Sequence, residues 1–295
     1  MTIEPWPRLS YAEWSETCAT LHLWTQIVGK VRLELAPPAN HWWHVALYVT
    51  ARGLTTSPMP HGERQLQIDF DFVDHVLLVR VDDGRVAALP LAPRPVAHFH
   101  REVMALLDGL GLPVAIDTRP QELPDPIPFE QDHLHAAYDR DAAQRFFHVL
   151  ASSAAVMQQF RGGFLGKASP VHFFWGSFDL AVSRFSGRPA PPRPGVISGP
   201  AYSHEVSSVG FWPGGPAQDA SFYAYHVPEP PGFRAAAVRP QAAAWSPELS
   251  EFLLPYEAVR TASDPRRALL DFFASTYAAG AEAAGWDRGS LELAP

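Results

Sequence analysis

Apolar residues recur every three or four positions along four segments of the chain, which is the spacing of a buried helix face. The first runs from Ser10 to Lys30, and the next two cover residues 95–110 and 139–163. The fourth runs from Pro265 to about Ala284, where Asp264 can cap its first turn. We therefore predict four principal helices, two in each half of the chain.

Strict alternation of apolar and polar residues predicts strands between these helices. His41 to Arg52 is strand-like, with Trp43, Val45, Leu47 and Val49 on the face assigned to the core, and residues 64–81 are predicted to form a hairpin whose first strand alternates strictly. Asp83-Gly84 is a turn signal that leads into a third strand at residues 86–91. Further strands are predicted at residues 114–118, 171–184, 202–211, 221–227 and 251–259.

The order of these elements predicts an α+β fold made of two related halves. Each half is a helix, a mainly antiparallel sheet and a further helix, packed with a pocket between the halves. We assign residues 1–120 to the first α+β repeat and residues 139–295 to the second. A Pro-rich connector at 121–138 separates them, and the whole is expected to be one globular unit.

A short motif supports the internal repeat. The chain has only two lysines, Lys30 and Lys167, and both follow glycine. Each precedes a His-aromatic-aromatic sequence, which begins at His41 in the first half and at His172 in the second. Superposition of the halves should therefore align the two lysines and these two histidines. Alternatively, each lysine caps the carbonyl end of a helix.

Composition excludes several classes of function. The 295 residues carry a net charge of −8 without a basic run, which argues against nucleic acid as a partner. No apolar stretch is long enough to predict a membrane span, and Cys18 is the only cysteine. We expect a cytoplasmic protein with a small-molecule ligand and no membrane partner. Its oligomeric state is left open.

The candidate site combines side chains from both halves. On the predicted strands, one face carries His44, Tyr48 and Arg52, and the matching face carries Trp175, Ser177 and Asp179. The proposed acid-base residues are His44, Asp179, His204, Glu205 and Lys167. The proposed substrate-binding residues are Lys30, Tyr48, Arg52, His172, Trp175, Ser177 and Arg184. Cations and aromatic rings together favour an enzyme that acts on a small anionic or aromatic metabolite.

Other chemistries are less well matched. The histidines with Glu205 could bind a metal, but no local spacing brings three ligands together, so we predict no metal and no cofactor. Ser177 lacks the nucleophile elbow of a serine hydrolase, and the Gly-Lys pairs lack the spacing of a phosphate-binding loop. A His/Glu metal-dependent enzyme and a non-catalytic small-molecule-binding protein stay open as alternatives.

Several longer motifs resemble those of a bacterial protein family of about 300 residues. They are Thr20 to Lys30 (TLHLWTQIVGK), Tyr48 to Thr56 (YVTARGLTT), His172 to Arg188 (HFFWGSFDLAVSRFSGR) and Tyr202 to Val206 (YSHEV). The resemblance covers nearly the whole chain. It implies a bacterial protein of uncharacterised function, and it supplies no reaction, cofactor or residue role.

Overall fold

The computed structural model describes residues 4–293, which contain seven helices and twelve strands. The helices are α1 (Tyr11–Leu35), α2 (Val96–Gly109), α3 (Arg140–Gly162), α4 (Ser198–Ala201), α5 (Tyr256–Arg260), α6 (Pro265–Ala283) and α7 (Arg288–Leu291). The first strands are β1 (Tyr48–Val49), β2 (Gly53–Thr55), β3 (Met59–His61), β4 (Arg64–Asp71), β5 (Val76–Val81) and β6 (Val86–Pro90). The others are β7 (His172–Phe174), β8 (Asp179–Pro189), β9 (His204–Gly215), β10 (Gln218–Val227), β11 (Ala244–Ser246) and β12 (Glu251–Pro255). The fold is α+β, as predicted.

The strands form two antiparallel sheets, one in each half of the chain. The order in the first is β1-β2-β4-β5-β6 with β3 paired to β4, and in the second it is β11-β12-β10-β9-β8-β7. An isolated bridge joins their edges. The amide of Leu47 donates to the carbonyl of Phe173 over 2.9 Å, and the amide of Phe173 donates back over 2.8 Å. The two halves therefore meet through main-chain hydrogen bonds.

Helix α1 lies between the halves and is buried on most of its surface. It contacts α2 and β3 of the first half, and α3, β9 and β10 of the second. Trp24 stacks on Phe99 of α2 with ring centroids 4.4 Å apart, and Trp14 packs on Phe146 of α3 at 5.0 Å. Large aromatic side chains from one helix thus contribute to both parts of the core.

Several predicted elements are confirmed. Strands β4 and β5 pair as the expected hairpin, and β6 follows the Asp83-Gly84 turn. The carboxylate of Asp139 accepts a hydrogen bond from the amide of Ala142 and caps α3. Asp264 accepts from the amide of Arg267 in the same way and caps α6. These boundaries follow from local capping chemistry, which the sequence displays directly.

The predicted strand from His41 to Arg52 is wrong over most of its length. Residues Asn40–Val45 form a 3-10 segment, and the strand is confined to Tyr48–Val49. His41 and Trp42 have φ angles of 55° and 61°, which lie in the left-handed region and break the alternation of a strand. The face predicted to carry His44, Tyr48 and Arg52 therefore does not exist.

The predicted strand at residues 171–184 is a hairpin. Strands β7 and β8 pair with His172 opposite Ala181, and residues 175–178 form the turn between them. Phe178 has a φ of 59°, so the chain reverses there. Trp175 and Ser177 lie in this turn and not on a strand face. Smaller differences are that α1 continues to Leu35, that residues 114–118 form no strand, and that residues 251–259 divide into β12 and most of α5.

The predicted equivalence of the two Gly-Lys motifs is wrong. Lys30 lies inside α1, whereas Lys167 lies in the loop between α3 and β7. His41 belongs to the 3-10 segment, whereas His172 begins β7. The order helix, sheet, helix does recur in the two halves. An origin by duplication stays a prediction.

Candidate functional site

His172 is a buried polar side chain at the place where the two sheets meet. It is 1% exposed, and neither of its ring nitrogens has a hydrogen-bond partner. The rings of Trp43 and Tyr48 lie at centroid distances of 5.6 and 5.5 Å. Burial, and then the positive charges of Arg32 and Arg161, lower the pKa of His172 to about 3. The imidazole is therefore neutral at physiological pH and has unused hydrogen-bonding capacity.

Two arginines complete this group, and both use main-chain oxygens as acceptors. Arg32 is 8% exposed, donates from Nη1 to the carbonyl of Thr56 and leaves Nε without a partner. Its guanidinium carbon lies 5.5 Å from the ring centroid of Tyr48. Arg161 donates from Nε to the carbonyl of Ser169 over 2.6 Å. Between residues 4 and 293, neither arginine forms an ion pair with a carboxylate.

We call Arg32, Trp43, Tyr48, Arg161 and His172 the junction cluster. Its first three residues come from α1, the 3-10 segment and β1, and the last two come from α3 and β7. A buried guanidinium without a counter-ion is energetically unfavourable, because burial removes solvation that no opposite charge replaces. An anionic group bound here would supply that charge and accept hydrogen bonds.

Lys167 and His41 form a contact pair beside the junction cluster. The lysine Nζ lies 2.7 Å from Nε2 of His41, whose Nδ1 lies 3.0 Å from the carbonyl of Ala201. That carbonyl can only accept, so Nδ1 carries the proton and Nε2 presents its lone pair to the lysine. Lys167 also lies 5.3 Å from the ring centroid of Trp43. Trp43 therefore contacts both His172 and Lys167.

The pKa values of this pair are both shifted towards the neutral forms. Partial burial lowers the pKa of Lys167. Burial is also the largest cause of the lowered pKa of His41, followed by the charges of Lys167 and His204. A neutral imidazole next to an ammonium can accept its proton, which is the arrangement of a base beside a nucleophile.

A second polar group, the carboxyl cluster, lies at the β7–β8 turn. We define it as Glu122, Ser177, Asp179, Tyr223 and Glu251. The hydroxyls of Ser177 and Tyr223 both donate to the buried carboxyl of Asp179. The ring of Tyr223 lies across β9 directly over Gly210, where an added Cβ would be 2.1 Å from the ring. Only glycine fits at that position.

Burial dominates the titration of the carboxyl cluster. It is the first cause of the raised pKa of Asp179. Burial and then the charge of Asp179 raise the pKa of Glu251 to about 7, and the same two causes raise the pKa of Glu122. Glu122 comes from the connector and reaches the turn, since a Cβ at Gly176 would lie 2.6 Å from its Oε1. A carboxyl that titrates near neutrality, as Glu251 does, can exchange protons with a substrate.

Four of the predicted site residues have ordinary ionic or packing contacts. Lys30 is 3% exposed and pairs with Asp117 at 3.2 Å, so it neither caps a helix nor belongs to the junction cluster. Arg52 forms ion pairs with two carboxylates, Asp71 and Asp74. Glu205 forms an ion pair with Arg188. The guanidinium of Arg184 stacks on the ring of Phe160 and donates to the Phe160 carbonyl.

Three further predicted residues have structural contacts. The indole of Trp175 packs on Gly29 and donates to the carbonyl of Val45 over 2.7 Å. Nδ1 of His44 accepts from the amide of Ala39 over 3.2 Å. His204 lies edge-on to His41 with ring centroids 5.8 Å apart, which places it next to the lysine pair.

The structure thus brings the predicted residues into two groups and not one. Tyr48, His172 and Lys167 lie at the junction, and Ser177 and Asp179 lie at the β7–β8 turn. His41 stacks on Phe185, which is six residues along β8 from Asp179 and hence about 20 Å away. Sequence reasoning missed Arg32, Arg161 and Trp43 as partners of His172. Arg32 and Trp43 lie more than a hundred residues away in the chain, and Arg161, at the end of α3, carries no local signal.

No grouping of three or more His, Cys, Asp or Glu side chains within the described range could hold a metal ion. Two open surface depressions lie elsewhere, one along α2 and the other beside the start of α1. Neither is lined by a predicted site residue.

None of the described helices is long and apolar enough to cross a membrane.

Comparison with known proteins extends the resemblance seen in the motifs. A family model described as a family of unknown function (DUF5996) matches residues 6–293. No curated protein and no solved structure matches the chain. The geometry above is therefore the basis for any functional conclusion.

Proposed function

The chain belongs to this family, DUF5996, and because the family has no known function, we propose one from the chain's own residues. We propose that it is an enzyme that binds a small anionic metabolite at the junction cluster. The anionic group would lie beside Arg32, Arg161 and His172, and His41 with Lys167 would move protons. The cytoplasm, where small anionic metabolites are abundant, is part of the proposal.

One observation carries the proposal. His172 and Arg32 are both more than nine-tenths buried, and both retain polar atoms without a partner. Arg32 and Arg161 donate to the carbonyls of Thr56 and Ser169, and no carboxylate within residues 4–293 pairs with either. Buried polar groups are normally satisfied, and each exception calls for an explanation such as an absent ligand. An anion satisfies the guanidinium N–H groups and the charge together.

We predict that a panel of inorganic phosphate, sulfate, small carboxylates and phosphate monoesters contains ligands that raise the melting temperature. Arg161→Gln should weaken their binding about tenfold or more, because a hydrogen bond to a charged group contributes roughly 1.5–3 kcal/mol. Calorimetric titration of the variant and the wild type measures the difference.

The matched control is Arg145→Gln. Arg145 is also a half-buried arginine of α3 and lies sixteen residues, hence about 24 Å, from Arg161. The Arg145→Gln variant should leave anion binding unchanged. Equal binding by both variants, or no binding by any anion of the panel, would reject the proposed site.

A non-catalytic anion-binding protein is the second candidate. The observation in its favour is that Asp179, the buried carboxyl predicted as an acid or base, belongs to the carboxyl cluster and not to the lysine pair. Turnover of a bound metabolite, followed by mass spectrometry of the mixture, separates the two. Conversion that is lost in His41→Asn supports the enzyme, and tight binding with unchanged metabolite supports the binding protein.

A further inference from the structure

Lys167 has the surroundings of a reactive amine. It is an exposed side chain, no carboxylate of the described range pairs with it, and its Nζ is in hydrogen-bond contact with one imidazole nitrogen. Its other neighbours are the rings of Trp43 and Phe185, at 5.3 and 5.2 Å. The aromatic rings attract the ammonium form, whereas partial burial without a paired carboxylate lowers the pKa of Lys167 and makes the free amine more accessible.

The base next to this amine is oriented by a third group. The carbonyl of Ala201 fixes the proton of His41 on Nδ1, which leaves Nε2 as an acceptor directed at Lys167. Nucleophile, base and orienting group are thus arranged in series, as in other activated nucleophiles. The left-handed backbone at His41, with its φ of 55°, directs the ring towards the lysine.

We propose that Lys167 is a nucleophile that forms an imine with a carbonyl group of the anionic metabolite. The inference rests on the proposed function and names its substrate class as a carbonyl compound that carries an anionic group. The anionic group would bind at the junction cluster and the carbonyl would face Lys167, and Trp43 touches both places.

The step balances without any other reactant. His41 takes one proton from the lysine ammonium, and the free nitrogen lone pair attacks the carbonyl carbon. A carbon–nitrogen bond forms, and the carbon–oxygen bond then breaks. The oxygen leaves as water with the proton returned by His41 and a second proton from the nitrogen. The products are one protonated imine, which keeps the third lysine proton on nitrogen, and one water molecule, with His41 neutral again.

The chain is well suited to a direct test because it has only two lysines. The full-length protein would be incubated at pH 7.5 with glyoxylate, pyruvate or 2-oxoglutarate and with sodium cyanoborohydride, which reduces an imine to a stable amine. Peptide mapping should find the adduct on Lys167 and not on Lys30, which is buried and paired with Asp117. Lys167→Arg should abolish that adduct.

Two comparisons distinguish activation from simple exposure. A positioned base typically contributes a hundredfold or more, so Lys167 should be labelled at least about tenfold faster than free N-α-acetyl-lysine. His41→Asn should remove most of this advantage, because Asn tolerates the left-handed backbone but cannot act as the base. His133→Asn, an exposed histidine in another loop, should retain it.

Each failure has its own meaning. Labelling of Lys167 no faster than the free amino acid, or unaffected by His41→Asn, would overturn the imine. If the anions of the panel still bind and Arg161→Gln still weakens them, the binding site survives that result. Conversely, equal labelling by propanal, which has no anionic group, would support the nucleophile and reject the anionic substrate.

Discussion

Gly29 shows how one residue lets two halves of a chain approach closely. A Cβ at this position would lie 2.4 Å from three atoms of the Trp175 indole, so only glycine allows the ring to lie against α1. The indole cannot move away without losing its hydrogen bond to Val45. The glycine before Lys30 is therefore explained by packing and not by a repeated functional motif.

We predict that Gly29→Ala lowers the free energy of unfolding by about 1–3 kcal/mol, the usual effect of overpacking a well-packed core. Chemical denaturation measures it. Gly109→Ala is the control, because Gly109 ends α2 with no atom within 4 Å of an added Cβ. The control should be neutral or gain a few tenths of a kcal/mol from helix propensity. A Gly29 variant as stable as the control would show that Trp175 can shift.

At the same scale, the sequence singled out some residues of the junction cluster and gave no signal for others. Tyr48 and His172 were predicted to bind substrate, and their rings do lie together, with centroids 5.5 Å apart. Arg32 carries no local signal, since one more arginine near the end of a helix is ordinary. Its importance arises from burial and from the lack of an acidic partner, which only tertiary structure reveals.

At the scale of elements, local chemistry determined what could be predicted. Capping aspartates and a Gly-containing turn fixed α3, α6 and the β5–β6 turn. The errors at residues 40–45 and 175–178 share one cause: His41, Trp42 and Phe178 adopt positive φ angles that non-glycine residues rarely adopt. Long-range hydrogen bonds, such as that from Trp42 to the carbonyl of Val196, stabilise such backbone, and no short pattern encodes them.

Strands β8, β10 and β12 bring the carboxyl cluster together, and this has a measurable effect on stability. The pKa of Glu251 is raised to about 7 in the folded protein, from an ordinary value near 4.5. Between pH 4.5 and 7, Glu251 is therefore protonated in the folded state and deprotonated in the unfolded state. Stability from this group is present below about pH 4.5 and is lost as pH rises through 7.

We predict that Glu251→Gln is more stable than the wild type at pH 8, by about 1–2 kcal/mol after allowing for partial solvent screening. The two proteins should be nearly equal at pH 4.5, because the glutamate is then neutral in both states. Urea denaturation at the two pH values measures the difference. A glutamine variant that is less stable at pH 8 would show that the carboxylate is favourably solvated.

At the scale of the whole molecule, buried neutral histidines make stability depend on pH in the opposite direction from Glu251. His226 is 5% exposed with Nε2 unbonded, and burial lowers its pKa to about 3. The unfolded histidine binds a proton near pH 6.5, so this contribution to stability is present above pH 6.5 and is lost as pH falls towards 3.

His226→Asn should therefore make the pH dependence of unfolding shallower by about 1.4 kcal/mol per pH unit between pH 4 and 6. The variant is expected to be less stable at pH 8, because asparagine fills less of the core. Its deficit should shrink as the solution is acidified. Parallel curves for variant and wild type would mean that His226 is already protonated in the folded protein over this pH range, so that its pKa is not lowered.

The position of α1 between the two sheets has a consequence for how the chain can be divided. The helix belongs to the first half by sequence, yet its Trp14 and Gly29 complete the packing of the second. Two fragments cut in the connector at residue 125 should therefore be insoluble when expressed separately. Expressed together, they should complement each other into a one-to-one complex with the circular dichroism spectrum of the intact chain. Independent folding of either fragment would identify the halves as autonomous modules that only share an edge.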